Sequence, residues 1–226
     1  MSSTAPPKAK PTPDSVPAAD DQAGAPDLDS PKARQIMDAA GALFFSFGFG
    51  STSMGQIATK AGVSKGTLYN YFADKEALFA AVVRSVCEEH NDQLFALKAG
   101  DRDVAAVLHR VAVSFVVFVT GDYPTAGYRV VIAEANRFPH LGEVFYAAGP
   151  AAGIKRLADY LDWAAGEGLI AVADATEAAR DFLELSKAAV HMRRMLNLRG
   201  PVERDEAIAL ADKTVTKFMA IYAPPA

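Results

Sequence analysis

Between Ser64 and Asn70 the chain reads Ser-Lys-Gly-Thr-Leu-Tyr-Asn, a run whose outward groups suit an anionic, hydrogen-bonding surface. Lys65 and Thr67 fall in the first turn of a short helical pattern, and Tyr69 and Asn70 are the next outward positions. Leu68 and Phe72, four residues apart, point inward, while Tyr71 can face either way. Asparagine can pair with adenine, and tyrosine can meet phosphate or a thymine methyl. Gly66 costs about 1 kcal/mol relative to alanine inside a helix, so it needs a reason, and close approach of backbone to a duplex is one. Upstream, Thr52 and Ser53 offer hydroxyls or helix N-terminal amides to phosphate. Capping alone is the other use of the same groups.

The elements that must hold this run can be read on either side of it. Ser53 and Gln56 have capping-box spacing, and Ile57, Ala58 and Ala61 give the helix they start an apolar face. Gly62 supplies the residue that can take positive φ, Val63 plugs the angle, and Ser64 caps a second helix from Lys65 to Phe72. Helix, glycine turn, helix with a polar and basic outer face is a helix-turn-helix. Ahead of it, Ser30 and Pro31 start a helix whose stripe is Ile36, Ala40, Leu43, Phe44 and Phe47, ended by Gly48 and Gly50. That helix completes a three-helix head, and its Arg34 can touch phosphate, an ordinary solvated arginine being the other reading. Asp74 caps a long fourth helix running to Leu97, with Lys75 in its first turn on the side of the motif.

Ile57-Ala58, Ala61-Gly62-Val63-Ser64-Lys65-Gly66-Thr67-Leu68-Tyr69, Tyr71-Phe72 and Lys75-Glu76-Ala77-Leu78 together resemble the DNA-binding signature of TetR-type transcriptional repressors. The resemblance is dense from Pro31 to Phe79, and a weaker one to AefR-like C-terminal domains covers Gly127 to Pro139. It implies an all-α fold, phosphate contact by Lys75, a homodimer reading a pseudo-palindromic operator on double-stranded DNA, and a helical body for a small-molecule effector.

The net charge of −4 divides unevenly. Residues 32–75 hold five cations (Lys32, Arg34, Lys60, Lys65, Lys75) against Asp38 and Asp74, a local +3 in the segment that carries the motif. Residues 1–29 are rich in Pro, Ala, Asp and Ser, without aromatics or period, and are expected to be a mobile tail. Its acidic balance argues against a DNA-contacting arm. The single cysteine, Cys87, lies in an apolar helical stretch and reads as a core residue. No apolar run reaches the roughly 20 residues a membrane helix needs. With no basic-plus-apolar leader either, the expectation is a cytoplasmic protein with no membrane partner.

After residues 30–75, the helix-turn-helix domain, residues 76–226 read as a helical ligand-binding and dimerisation body. Its helices are expected over Asp101–Val119, Thr125–Arg137, Leu141 to about Glu167 with a kink near Gly149-Pro150, Ala175–Asn197 and Glu203–Tyr222, for about nine in the whole chain. A single recognition helix spans few base pairs, so two copies one turn apart, about 34–36 Å, are needed. The last two helices carry apolar stripes that can pair between subunits: Phe182, Leu185, Ala189, Met192 and Leu196, then Ile208, Ala211, Val215, Phe218 and Met219. Burial of both stripes inside one chain is the competing reading. Phe115, Phe118, Tyr123, Tyr128, Phe145, Tyr146, Trp163 and His191 can line an apolar cavity with a few polar anchors. Arg129 and Glu134 are an ion pair or orient a ligand. For each, an ordinary core position is the alternative.

Neither His90 beside Glu88 and Glu89 nor His140 with Glu143 has metal-ligand spacing, and His109 and His191 stand alone. There is no phosphate-binding glycine loop, nucleophile elbow or cysteine pair, so no enzyme, no metal and no cofactor is expected. The rival to an effector-controlled repressor is a DNA-binding adaptor whose body docks a protein. A closed apolar cavity separates the first from the second, which needs an exposed groove.

Overall fold

The structure, a computed structural model, describes residues 27–97 and 100–224. The tail reading therefore lies outside the described residues, apart from its last three positions. Eleven α-helices make up the described chain: α1 Pro31–Phe47, α2 Met54–Ala61, α3 Lys65–Tyr71, α4 Lys75–Leu94, α5 Val104–Thr120, α6 Asp122–Glu134, α7 Pro139–Tyr146, α8 Ala152–Gly166, α9 Ala175–Lys187, α10 His191–Met195 and α11 Arg204–Tyr222. No strand occurs among the described residues. The two helices beyond the expected nine come from breaks. A π-helical turn at Ala147–Ala151, containing Pro150, separates α7 from α8, and residues 188–190 separate α9 from α10.

Local rules account for the head. Ser30 accepts from the Ala33 amide with Pro31 in the first turn, and Ser53 and Gln56 form the reciprocal capping box. Gly62 is left-handed at φ 64, and its amide closes back on α2. Gln35 of α1 adds a tie absent from any motif, its Nε2 donating to the Ala61 carbonyl at 2.7 Å and so capping α2 from outside.

Behind these caps lies a core of Ile36, Phe44, Phe49, Ile57, Leu68, Leu78 and Phe79, all fully buried. Phe44, Phe49 and Phe79 meet at centroid distances of 5.3 to 5.4 Å, two of the three contacts edge-on. Each such contact contributes about 0.5–1.5 kcal/mol beyond area burial. This core does not stop at Lys75. It continues through Leu78, Phe79, Val82 and Val83 of α4, then Val130 and Val131 of α6 and Leu141 of α7.

The body packs α5, α8, α9 and α11 round a second core that includes Leu108, Leu157, Leu161, Phe182 and Phe218. Here two interface expectations need correction. Phe182 and Phe218 are both wholly buried and stack edge-to-face on each other at 5.2 Å, so they join α9 to α11 within one chain. Val215 is half-buried against the same core. Leu185, Ala189, Met192 and Leu196 are exposed, and Met192 and Leu196 keep 65% and 61% of their surface. An apolar stripe wide enough to cover about 100° of helix divides between the core and the outer face, and periodicity alone does not say where.

Two arginines lace α10 to the α5–α6 corner. Buried Arg194 donates through Nε to the Thr120 carbonyl at 2.8 Å and pairs with Asp122. Arg129 of α6 donates in return to the Arg194 and Met195 carbonyls and to Asn197 Oδ1. The expected Arg129–Glu134 pair is thereby corrected: five residues apart, the two side chains lie about 140° apart round the helix and serve different neighbours.

Candidate nucleic-acid interface and the cavity behind it

Helix α3 presents Lys65, Gly66, Tyr69 and Asn70 to the outside, with Thr67 half-buried and Leu68 fully buried beneath. Tyr69 keeps 51% of its surface, whereas Tyr71 packs on the head core beside Phe72. Ser64 caps the helix through the Thr67 amide at 3.0 Å, and its hydroxyl meets the Thr67 hydroxyl at 2.9 Å. A Cβ built at Gly66 would meet only the Ser64 hydroxyl, at an ordinary 3.7 Å. Nothing inside the chain therefore requires glycine there. Arg34 is exposed on α1.

Three expected phosphate contacts are engaged elsewhere. Thr52 is buried, and its hydroxyl donates to the Gly48 carbonyl at 2.9 Å, securing the end of α1. The Ser53 hydroxyl and amide are both taken up by the capping box with Gln56. Lys75 donates to the carbonyls of Phe49 and Thr52 at 2.8 and 2.9 Å, with its ammonium 4.4 Å from the Phe49 ring centre. Burial lowers the pKa of its amine below the usual lysine range, with Glu134 opposing. Each group has a limited number of bonds to give, and the fold claims them first. Lys75→Met is accordingly expected to lower stability by about 1 kcal/mol, or roughly 2–4 °C in a chain of this size. The salt dependence of DNA binding should hardly change. A shallower salt slope at constant melting temperature would instead mark a phosphate contact.

Behind the head, α4, α5, α6, the α7–α8 junction and α9 line a partly open cavity of about 220 Å³. Of the expected lining residues, Phe115, Phe118, Tyr128, Phe145 and His191 meet there, as do Tyr123 and Tyr146. Trp163 does not: it packs on the body core and beside Tyr160, away from this cavity. Arg129 is committed to α10, as described above. Motif reading passed over Phe45, Asn91 and Phe95, which complete the wall. Asn91 donates to the Ala148 carbonyl inside the π turn, and Gly149 and Gly153 let α8 and the turn lie close on Cys87 and Phe95. Burial raises the Cys87 thiol to about 11, so it stays protonated and unreactive at neutral pH.

Helix α6 touches cavity and head at once. Tyr123 stacks edge-on against Phe45 of α1 at 4.7 Å, and Gly127 admits the same ring. At the far end, a Glu134 carboxylate oxygen accepts the Gly50 amide at 2.8 Å, in the loop that leads into α2. No single helix among the described residues is long and apolar enough to cross a membrane, and no cluster of three His, Cys, Asp or Glu there can hold a metal ion.

Comparison with known proteins places both halves. Residues 36–82 match the family described as bacterial regulatory proteins, tetR family, and residues 106–224 match the AefR-like transcriptional repressor C-terminal domain. A TetR-family structure from Mesorhizobium loti is 31% identical, with 85% of this chain and 96% of that one aligned at TM-score 0.77. The flavonoid-responsive regulator FrrA is 33% identical over 86% of this chain and 98% of its own, at TM-score 0.75. The HTH-type transcriptional regulator RutR of Escherichia coli K12 is 38% identical over 97 residues, 43% of this chain and 45% of that regulator's length. The chain thus spans under half the length of that curated relative.

Proposed function

Because the chain belongs to the TetR family of bacterial transcriptional regulators, we propose that it is a homodimeric repressor, released from a pseudo-palindromic operator by a small apolar or aromatic effector. The observation that carries this reading is the pairing of an uncovered recognition helix with a cavity whose walls also hold the head. Lys65, Tyr69 and Asn70 reach base edges or phosphates, and the bare backbone at Gly66 lets the helix settle into the major groove. Lys32, Arg34 and Lys60 add to the local positive field.

The proposed mechanism is a two-state one. An effector that fills the cavity binds better to the arrangement in which α4 and α6 have moved. The Phe45–Tyr123 stack and the Glu134–Gly50 bond then carry the shift to the head, and two heads separated by other than one helical turn lose the operator. The likeness to FrrA, a flavonoid-responsive regulator, supports an aromatic effector. A concave, largely apolar pocket lined from several helices supports an effector over a docked protein. The exposed side chains of Leu185, Ala189, Met192 and Leu196 support pairing through the α9–α10 face.

Tyr69→Ala tests the DNA arm. It is expected to weaken binding to an operator selected from genomic fragments by about 1–3 kcal/mol, while leaving thermal unfolding nearly unchanged. A matching loss of stability would mark Tyr69 as a packing residue and sink its assignment. The selected fragments should share a two-fold symmetric site.

A further inference from the structure

We propose that the effector is a flat aromatic acid whose ionised end is taken by Lys187, an assignment that rests on the cavity being the effector site. The charged residues in the lining are Arg180, Glu184 and Lys187, all on α9. His191, at the start of α10, adjoins them, so formal charge is confined to one wall. Elsewhere the wall is mainly apolar and includes several aromatic rings, among them Phe45, Phe115, Phe118 and Phe145.

Two of the polar groups away from α9 are engaged elsewhere. The Asn91 amide serves the Ala148 carbonyl, and the Tyr123 hydroxyl lies against Gly41 of α1. Lys187 differs. Its side chain is only 20% exposed, and its one salt-bridge partner among the described residues is Glu184, at 2.8 Å with 63% of that side chain in solvent. One of three ammonium hydrogens is accounted for by that pair. A neutral ligand closing the cavity would strip water from this ammonium and return only a solvated carboxylate as compensation. An anionic ligand supplies the missing acceptor.

His191 assists this end. Its ring stands edge-to-face on Tyr128 at 5.2 Å, and Tyr128 stands likewise on Phe145, which continues an aromatic path inward from Lys187. Burial, then the Lys187 charge, lowers the imidazole pKa. A neutral imidazole at neutral pH can donate to the ligand without competing for its charge.

Two probes of equal shape decide the matter: 2-naphthoate and its neutral amide, titrated into the full-length protein and into Lys187→Met, with Lys187→Arg as the charge-retaining control. The acid is expected to bind the parent at least about tenfold more tightly than the amide. The gap should vanish in Lys187→Met, which still binds the amide, and persist in Lys187→Arg. Equal affinities in the parent overturn the charge assignment and leave the cavity reading standing. A gap that survives in Lys187→Met overturns Lys187 as its source. Failure of both probes to bind at about millimolar concentration overturns the cavity reading and this proposal together. The parent comparison decides the ligand class even if a variant does not fold.

Discussion

Gly66→Ala is expected to raise the stability of the protein and lower its affinity for the operator. The position lies inside α3, with ordinary helical backbone, and a methyl group would meet only the Ser64 hydroxyl at 3.7 Å. Removing a glycine there recovers about 0.5–1 kcal/mol of backbone entropy, or up to some 4 °C of melting temperature in a chain of this size. The same methyl occupies the space through which backbone reaches the duplex. Displacing a bidentate base contact or its neighbours costs about 1–3 kcal/mol, so affinity should fall by roughly one to two orders of magnitude. Melting curves and binding isotherms measured on one preparation check both signs. Unchanged affinity with higher stability would show that the helix never approaches DNA at this residue.

Phe182→Ala is expected to cost about 3–5 kcal/mol, a large part of the stability of a typical domain. The ring is wholly buried, packs edge-on against Phe218, and sits where α5, α9 and α11 meet. The loss should appear at every protein concentration, because the cavity it leaves lies inside one chain. Serine at both Met192 and Leu196 should behave in the opposite manner. Those side chains are 65% and 61% exposed, so the folded protomer loses little. If they meet a second copy, each forfeits up to about 1.5–3 kcal/mol of burial and the dimer dissociates at higher concentration. Sedimentation at several concentrations, beside chemical denaturation, separates the two effects. A Phe182→Ala protein that keeps its denaturation midpoint but dissociates would return that ring to the interface.

These contrasts also mark where residue patterns stopped being informative. Caps are local chemistry, so Ser30, Ser53 with Gln56, Gly62 and Ser64 could be read directly and stand at the helix ends they imply. Leu68 against Tyr69 was equally legible, since one turn of α3 separates inside from outside. Long-range claims on a polar group were not. Thr52, Ser53 and Lys75 have the right chemistry for phosphate, but Gly48, Gln56, Phe49 and Thr52 itself lie within reach and need the same donors. Phe47 and Phe49 show the same limit for apolar groups. Phe47 continues the α1 stripe yet ends 68% exposed, because Gly48 turns the chain at φ 87 and inserts Phe49 in its place. Aromatic content pointed to a cavity, and seven of the eight residues named for its wall line it. Trp163 and Arg129 were misjudged because composition carries no direction.

The core shared by α1–α4 with Val130, Val131, Phe138 and Leu141 bears on how such regulators can be recombined. A chimera spliced at Lys75 would strand Phe44 and Phe49 without Phe79, and a splice beyond Val83 would still face a foreign α6 and α7. Exchange of operator preference between relatives is therefore better attempted by rewriting the few outward side chains of α3 than by transplanting the whole head. A transplanted head would have to bring with it the surface on which it rests.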